Sequence, residues 1–436
     1  MMGAPTPAVE PVPSQGLFRR PLPRRRRRAV LARLLTLPAL ALALLGCGPG
    51  APLPSVIYMG LAVGGDEAIN PELLKELQTS IRRLETSYRQ IYPGTQLQFS
   101  LYPEDRIVEA IRQRNAAGLA PDVMLVNGDI ARQLFQNDLI DPFPVSADEI
   151  NAFGPSELRR FRLRDGLLVG LPLLVQTQLA CFDRRRLGQP PASTQQLLAV
   201  SAIGRPIGLP ANVHNLFWSA GSLGAEPGIT RVLSGGTPSP EERAGIERWL
   251  SWLQDASTQQ RVLFYANQDS AEADLIDGRL DWIPCRSTVI PRLSAAMGPR
   301  LGVATLPDGD GFSASPVNRI RVLTLGRNSS RAGRQRALRL SRFTLSPVIQ
   351  RTITVGTKTF LPANRHVRVP VLSSTLLAAM VAASEQGRRS EQVMATIHNG
   401  DRRLPALQSL INELVFGQVS PDAATDKIIA ILRRPR

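Results

Sequence analysis

Short apolar runs alternate with amphipathic helical segments along this chain, and this alternation limits the fold more than any other feature. Ser55–Gly60 is an apolar run, and after it Asn70 and Pro71 form a helix start that precedes leucines at helical spacing. The runs Leu97–Leu101 and Pro121–Val126 follow, with a second helical segment between them. Strands and helices in this order predict a parallel sheet that helices cover on both faces.

The same alternation returns in the second half of the chain. Ile207–Leu209, Arg279–Pro284 and Leu301–Leu306 are predicted strands, and Pro240–Asp255 is a predicted helix with one apolar face. The 436 residues are enough for two or three domains, and no long linker divides them. We therefore expect two α/β lobes between which the chain crosses more than once, with a cleft between the lobes.

The first 46 residues predict an export signal that is not part of the fold. The basic run Arg24–Arg28 precedes the apolar run Leu34–Leu45, which is shorter than the roughly 20 residues that cross a bilayer. The sequence that ends this run, Leu44-Leu45-Gly46-Cys47, is similar to the bacterial lipoprotein box, in which lipid is attached to the cysteine. The alternative is an ordinary signal peptide followed by an incidental cysteine.

The net charge of +16 does not predict a nucleic-acid-binding protein. Only three of the 52 basic residues are lysines, and the arginines beyond residue 46 are scattered without any RNA-recognition or zinc-finger spacing. The chain has only three histidines and three cysteines, which disfavours a cysteine-rich metal site and histidine-dependent catalysis. We expect neither a cofactor nor an enzymatic activity.

Short motifs in a fixed order resemble the bacterial extracellular solute-binding proteins of the maltose-binding type (family 1). Proteins of that family are the capture subunits of ABC importers. The segments that carry the resemblance are Pro121–Met124, Leu168–Pro172, Ala180–Asp183, Pro191–Leu198, Thr305–Pro307, Arg331–Leu345, Phe360–Ala363 and Val419–Ile431. Together they cover most of the chain beyond the signal segment.

The resemblance implies the periplasmic-binding-protein type II fold, with two α/β lobes, mostly parallel central sheets and three crossovers around a ligand cleft. It divides the chain into a signal peptide (1–46), a lipidated tether (47–54), lobe 1 (55–173 plus 321–360) and lobe 2 (174–320 plus 361–436). The crossovers are expected near Pro172–Gln176, Asn318–Arg321 and Thr357–Pro362.

The function that the resemblance implies is capture of a sugar or polyol-like solute in the periplasm by closure of the lobes. The protein would act as a monomer, anchored to the cell membrane through lipid on Cys47, and would deliver the solute to ABC permease subunits that a cytoplasmic ATPase powers. Two alternatives stay open: a sensory or structural envelope lipoprotein with the same fold, and a glycoside hydrolase that uses paired carboxylates.

Nine residues are candidate ligand contacts, because they follow predicted strands or lie at a crossover. Polar groups in a cleft can bond the hydroxyls of a solute, and tryptophan can stack on a sugar ring. An acid near a helix start can instead complement the helix dipole, and a tryptophan can belong to the core. The candidates are Asp66, Glu67, Asn127, Asp129, Gln176, Gln178, Trp218, Trp282 and Arg286.

Two further cysteines, Cys181 and Cys285, remain once Cys47 is assigned to the lipid anchor. In an oxidising compartment an even pair can form a disulfide, and two buried free thiols are the alternative. The sequence leaves both open.

Overall fold

The structure, a computed structural model, describes residues 55–64, 71–154, 158–159, 161–163, 165–394, 396–397 and 401–435. The predicted signal peptide, the tether and Cys47 lie outside these ranges. Within the described ranges no helix is long and apolar enough to cross a membrane, and no group of three or more His, Cys, Asp or Glu side chains is placed to hold a metal ion.

Twelve strands form two sheets in the part of the chain that the structure describes. In chain order the strands are β1 Ser55–Val63, β2 Thr95–Pro103, β3 Val123–Asn127, β4 Ile140–Asp141, β5 Leu171–Gln176, β6 Gln178–Asp183, β7 Ile207–Pro210, β8 Val262–Tyr265, β9 Trp282–Arg286, β10 Leu301–Ala304, β11 Arg319–Gly326 and β12 Leu361–Pro362. The first sheet has the order β12-β5-β11-β3-β1-β2, with β4 paired to β11, and the second has the order β10-β6-β9-β7-β8. We call the first sheet with its helices lobe 1 and the second with its helices lobe 2.

Helices cover both sheets. They are α1 Pro71–Arg89, α2 Ile107–Ala116, α3 Gly128–Gln136, α4 Ala147–Asn151, α5 Arg184–Leu187, α6 Thr194–Ala202, α7 Val213–Ser222, α8 Glu226–Leu233, α9 Pro240–Thr258, α10 Gln268–Ile276, α11 Ile290–Met297, α12 Arg331–Leu345, α13 Pro347–Thr357, α14 Thr375–Gln386, α15 Arg388–Met394, α16 Arg403–Val415 and α17 Pro421–Leu432. Short 3₁₀ helices lie at Ser287–Val289, Gly298–Arg300 and Val371–Ser373. Many helices begin where the sequence predicts, because a serine accepts a bond from the first turn; Ser239, for example, forms a capping box with Glu242 before α9.

The parallel part of each sheet is extended by antiparallel strands. β1 is parallel to β2 and β3, and β7 is parallel to β8 and β9. β11 is antiparallel to β3, and β6 is antiparallel to β9. Both of these strands enter their sheet directly from the other lobe, so they run against its parallel strands. The sheets are therefore mixed, whereas the sequence predicted mostly parallel ones.

The chain passes between the sheets three times. The first passage is at Thr177, between β5 and β6, and the second is at the boundary between Asn318 and β11. The third lies later than the predicted Thr357–Pro362, because Asn364 and His366 still bond lobe 1 carbonyls, those of Leu345 and Asn151. After that passage α14 packs against β6 and β10 of the second sheet.

The two remaining cysteines form a disulfide. Cys181 on β6 and Cys285 on β9 lie on neighbouring antiparallel strands with a Cα–Cα distance of 5.8 Å. The bond joins segments 104 residues apart in sequence and is buried in the core that β6 and β9 share with α14. The structure thus decides between the two alternatives that the sequence left open.

Candidate ligand-binding cleft

Both sheets present the carboxyl ends of their parallel strands to the crossovers. In lobe 1, Asn127 at the end of β3 pairs with Arg321 near the start of β11. In lobe 2, Arg286 at the end of β9 pairs with Gln178 at the start of β6. Because β6 and β11 begin at the crossovers, the loops and helix starts that follow β3 and β9 lie at the same place. In open α/β sheets ligands bind at the carboxyl ends of the strands. We call this end of each sheet the edge of its lobe.

A buried polar network closes the edge of lobe 1. The Arg321 guanidinium donates to Glu104 Oε1 at 3.1 Å, to Asn127 Oδ1 at 3.0 Å and to the Leu125 carbonyl at 3.1 Å. It also donates to the Ala62 carbonyl, and the Asn127 amide donates to Glu104. The side chains of Arg321 and Glu104 are 9% and 6% exposed. We call Glu104, Asn127 and Arg321 the lobe 1 network.

The lobe 1 network ties together strands β1, β2, β3 and β11, so its first role is to hold the edge in shape. An ion pair this deeply buried requires both partners, because either charge alone would lie in a medium that solvates it poorly. Asn127 was predicted as a ligand contact, but its side-chain amide donates to Glu104 and accepts from Arg321 within this network. Sequence reasoning missed Glu104 and Arg321; the available signal was an arginine between Ile320 and the mainly apolar run Val322–Leu325, close to the predicted crossover.

The corresponding edge of lobe 2 is built on amides and backbone groups. The Gln178 amide donates to the Asn215 carbonyl at 2.9 Å and accepts from the Val317 amide at 3.0 Å. Arg286 donates to Asn215 Oδ1 at 2.8 Å and to the Val317 carbonyl at 3.3 Å. We call Gln178, Asn215 and Arg286 the lobe 2 network. The structure brings the predicted residues Gln178 and Arg286 together, with both side chains buried and bonded within the protein.

Hydrogen bonds also hold the crossovers to lobe 2. Asn318 donates to the Ala383 carbonyl in α14 and accepts from the Gln178 backbone amide. The hydroxyl of Ser287, just after β9, accepts from the Thr177 amide at 3.1 Å and donates to the Thr359 carbonyl at 2.6 Å. Since Thr359 precedes β12 of the first sheet, this last bond links the two lobes at the hinge.

Trp218 and Trp282 are not cleft residues in this structure. Both side chains are completely buried, with ring centroids 6.0 Å apart, and Trp218 also packs edge-on against Trp252. They belong to the main core of lobe 2. The expectation that they stack on a sugar is therefore wrong for this conformation, because three aromatic rings on α7, α9 and β9 meet in the core.

The structure describes two of the four remaining predicted ligand contacts, Asp129 and Gln176. Asp129 lies in the first turn of α3, two residues after Asn127, and is partly exposed. The Gln176 side chain lines a cavity inside lobe 1. Asp66 and Glu67 lie outside the described residues.

The helices that start at the two edges are capped differently. Asn127 is the N-cap residue of α3, but its side chain makes no capping bond, because it serves the lobe 1 network. At the start of α7, Asn212 Oδ1 accepts from the His214 amide, and Gln408 accepts from the Val213 amide at 3.0 Å. Lobe 2 therefore covers more of its helix start with its own side chains than lobe 1 does.

Tyr265 contributes a hydroxyl at the carboxyl end of β8. It donates to Asp274 Oδ2 at 2.6 Å, and Arg279 bonds the same carboxylate. Burial and this carboxylate raise the pKa of Tyr265 above its usual range, whereas the bonds from Arg279 and Tyr265 lower the pKa of Asp274. At neutral pH the phenol is a neutral hydrogen-bond donor beside an ionised carboxylate.

Solved structures share this architecture. The chain is similar to the GacH receptor of Streptomyces glaucescens GLA.O, solved unliganded and with acarbose, with a TM-score of 0.69, 15% identity, and coverage of 88% of this chain and 100% of that one. It is also similar to a cyclo/maltodextrin-binding protein complexed with maltotetraose, with a TM-score of 0.63, 15% identity, and coverage of 88% and 98%. No family model and no curated protein sequence matches the chain. The similarity confirms the predicted fold class, so the chain has the α/β fold of the type II, maltose-binding-type periplasmic binding proteins.

Proposed function

We propose that the protein is the solute-binding component of an ABC importer and captures a sugar or polyol by closure of its two lobes. The observation that carries the proposal is the hinge: three passages of chain join two sheets, and both sheets turn the carboxyl ends of their parallel strands toward it. A solute that contacts both edges binds the closed arrangement more tightly than the open one, and this difference in affinity drives closure.

Carbohydrate is the ligand class that the comparisons favour. The two similar structures were solved with acarbose and with maltotetraose, and a hydroxyl-rich solute suits a carboxylate such as that of Asp129 at the edge of lobe 1. All four tryptophans of the chain, Trp218, Trp249, Trp252 and Trp282, are buried in the core of lobe 2, which leaves few aromatic rings for stacking on a sugar. We therefore propose a small sugar or polyol rather than a long oligosaccharide, with Asp129 among its contacts.

The cellular setting belongs to the same proposal. The signal segment and the box that ends in Cys47 favour a lipid-anchored protein on the periplasmic side of the cell membrane. An anchor would hold the monomer close to its permease subunits and raise their effective concentration. Delivery to the permease is powered by the ATPase, so the binding protein itself carries out no reaction.

A hydrolase is the less favoured alternative, because it needs two carboxyl groups placed on either side of a glycosidic bond. At the edge of lobe 1 the Glu104 carboxylate is held by Arg321 and Asn127. That carboxylate is thus engaged in the fold. The pair that the sequence offers for this chemistry is Asp66 or Glu67 with Asp129; Asp66 and Glu67 lie outside the described residues, so product formation in the screen below tests this alternative.

A thermal-shift screen tests the proposed function. The protein beginning at residue 48 would be melted with sugars, polyols, glycosides and polyol phosphates, including acarbose and maltotetraose. A ligand present at 100 times its Kd and bound only to the folded state adds about 2.7 kcal/mol of stability. We expect one compound to raise the melting temperature without being converted to product.

Two matched variants test whether the stabilising ligand binds at the edge of lobe 1. Asp129→Ala, at the lobe 1 edge, should weaken the shift, whereas Asp148→Ala, an exposed acid of α4, should leave it unchanged. If no compound stabilises a demonstrably folded protein, the sensory or structural lipoprotein is favoured instead. If product accumulates, the binding role is wrong.

A further inference from the structure

A cavity of about 420 Å³, partly open to solvent, lies between the lobe 1 sheet and helices α1, α12 and α13 and reaches Thr288, just after β9 of lobe 2. Its walls are mainly apolar and come from both the sheet and the helices: Met59, Leu61, Val63, Leu77, Ile81, Leu125, Leu173, Leu323, Leu340, Ile353 and Phe360 among them. Protein interiors are close-packed, and voids larger than a water molecule are few. A cavity of this size is therefore not an ordinary packing defect.

Buried polar groups also line the cavity. The Ser341 hydroxyl, on a residue only 1% exposed, and the Thr288 hydroxyl both line the cavity and have no hydrogen-bond partner in the described part of the chain. The Gln176 side chain, also buried, is part of the same wall. Buried hydroxyls without partners are costly, and a bound molecule that supplies the missing partner would remove that cost.

We propose that this cavity binds a small neutral amphiphile, a ligand different in chemistry from the proposed sugar, although Gln176 and Arg321 of the lobe 1 edge belong to its lining. The ligand has an apolar body against the leucine and isoleucine walls and one hydroxyl or carbonyl that bonds Ser341. A sugar would leave most of its hydroxyls unbonded against these walls. An anionic head group is disfavoured because neither arginine that lines the cavity in the described ranges offers it a buried charge. Arg321 is already paired with Glu104, and Arg83 is an exposed residue of α1.

The volume sets the size of the ligand. An apolar cavity of about 150 Å³ binds benzene, and this one is roughly three times larger. It suits a fused two-ring aromatic molecule or an alcohol with a chain of about ten carbons. This proposal does not depend on the transport function, since it concerns a different ligand chemistry, although the cavity shares Gln176 and Arg321 with the edge of lobe 1.

Fluorescence of N-phenyl-1-naphthylamine, with decan-1-ol as competitor, tests the site. Gly356 lines the cavity mouth on α13, and a Cβ added there meets no atom within 4 Å, so Gly356→Phe should narrow the entrance without a clash. Val355→Phe, one residue earlier, exposed and outside the lining, is the matched control. Ser80→Phe on α1 is a second plug should the first variant fold poorly.

We expect saturable fluorescence enhancement at one probe per protein, displaced by decan-1-ol. Both plugs should weaken probe binding at least tenfold, whereas Val355→Phe should not, with equal melting temperatures showing that all variants are folded. Ser341→Ala should weaken competition by decan-1-ol several-fold without lowering the melting temperature, because its hydroxyl has no partner to lose. Absence of saturable binding to the wild-type protein, or equal binding to the plugged variants, would overturn the site; equal competition in Ser341→Ala would overturn the proposed bond to Ser341.

Discussion

The edges of the two lobes are held together by different chemistry. Lobe 1 uses a buried ion pair, Arg321 with Glu104, and Arg321 also bonds the Ala62 and Leu125 carbonyls of its own sheet. Lobe 2 uses the amide of Gln178 and the guanidinium of Arg286, which both bond Val317 just before the second crossover. The edge of lobe 2 is thus bonded to the chain that leaves it.

This difference indicates where the hinge bends. Gln178, Asn318 and Ser287 attach the first two crossovers to lobe 2. Lobe 1 reaches the same place through the bond from Ser287 to the Thr359 carbonyl. We expect the first two crossovers to move with lobe 2 and the backbone to rotate on the lobe 1 side of them, near Gln176 and Arg319.

The largest effect is expected from breaking the ion pair of lobe 1. Arg321→Met leaves the Glu104 carboxylate buried without its cation, which should lower the free energy of unfolding by about 3–5 kcal/mol. Urea denaturation measures the loss. Arg327→Met, which breaks the exposed pair with Asp138, is the matched control and should cost less than about 1 kcal/mol.

Adding Glu104→Gln to Arg321→Met removes the stranded charge and should recover much of the loss. A single-variant loss no larger than that of Arg327→Met would show that the lobe 1 network does not hold the edge.

The disulfide should give the next largest effect, and in lobe 2 alone. Replacing Cys181 and Cys285 with alanine releases a closed loop of 104 residues and should cost about 2–4 kcal/mol in free energy of unfolding. Hydrogen exchange should speed up in β6 and β9 before it does in β1 and β3. A reducing agent should destabilise the wild-type protein but leave the double variant unchanged; a wild-type protein indifferent to reduction would contradict the assignment.

Gln178→Leu tests whether the second crossover is attached to lobe 2. It removes two buried hydrogen bonds to backbone groups of Asn215 and Val317, and leaving such groups without partners costs about 1–3 kcal/mol each. The stability loss should come with increased proteolysis near residue 317. Gln113→Leu, an exposed change on α2, should do neither. A stable variant with an unchanged cleavage pattern would argue against the attachment of the crossover to lobe 2.

The smallest effect concerns Glu226 of α8, which accepts a hydrogen bond from Ser315 at 2.7 Å. Burial raises the pKa of the Glu226 carboxyl above its ordinary 4.5. The folded state therefore binds the proton more tightly than the unfolded state, so this contribution to stability is complete below pH 4.5 and disappears as the pH rises through the folded pKa.

Glu226→Gln keeps the hydrogen-bond acceptor and removes the titration. The melting temperature of the variant should exceed that of the wild-type protein at pH 7, and the difference should shrink toward pH 4.5. Glu247→Gln, on α9, is the control, and an identical pH profile in wild-type protein and Glu226→Gln would refute the burial of this charge.

The fold was predictable because its signals are local. Apolar spacing and a serine or proline at helix starts are contained in windows of a few residues, as at Ser330 before α12 and Ser420 before α17. The predicted strand Arg279–Pro284 begins before the observed β9, because the alternation of Leu280 and Trp282 with charged residues does not show where the long-range pairing with β6 starts.

The site was predictable only in part because its contacts are distant in sequence. Strand ends identified Asn127, Gln178 and Arg286 as edge residues, but a strand end does not show whether a side chain faces a ligand or another part of the protein. Glu104 and Arg321 are 217 residues apart, and no local pattern pairs them. Trp218 was misassigned because a core tryptophan and a cleft tryptophan have the same sequence pattern.

Small-angle X-ray scattering tests the central claim that a solute is captured by lobe closure. The protein would be measured alone and with the compound that raises its melting temperature, each at the same concentration. We predict that the saturated protein has a smaller radius of gyration than the protein alone and remains a monomer. Saturable binding with an unchanged radius of gyration would contradict the account.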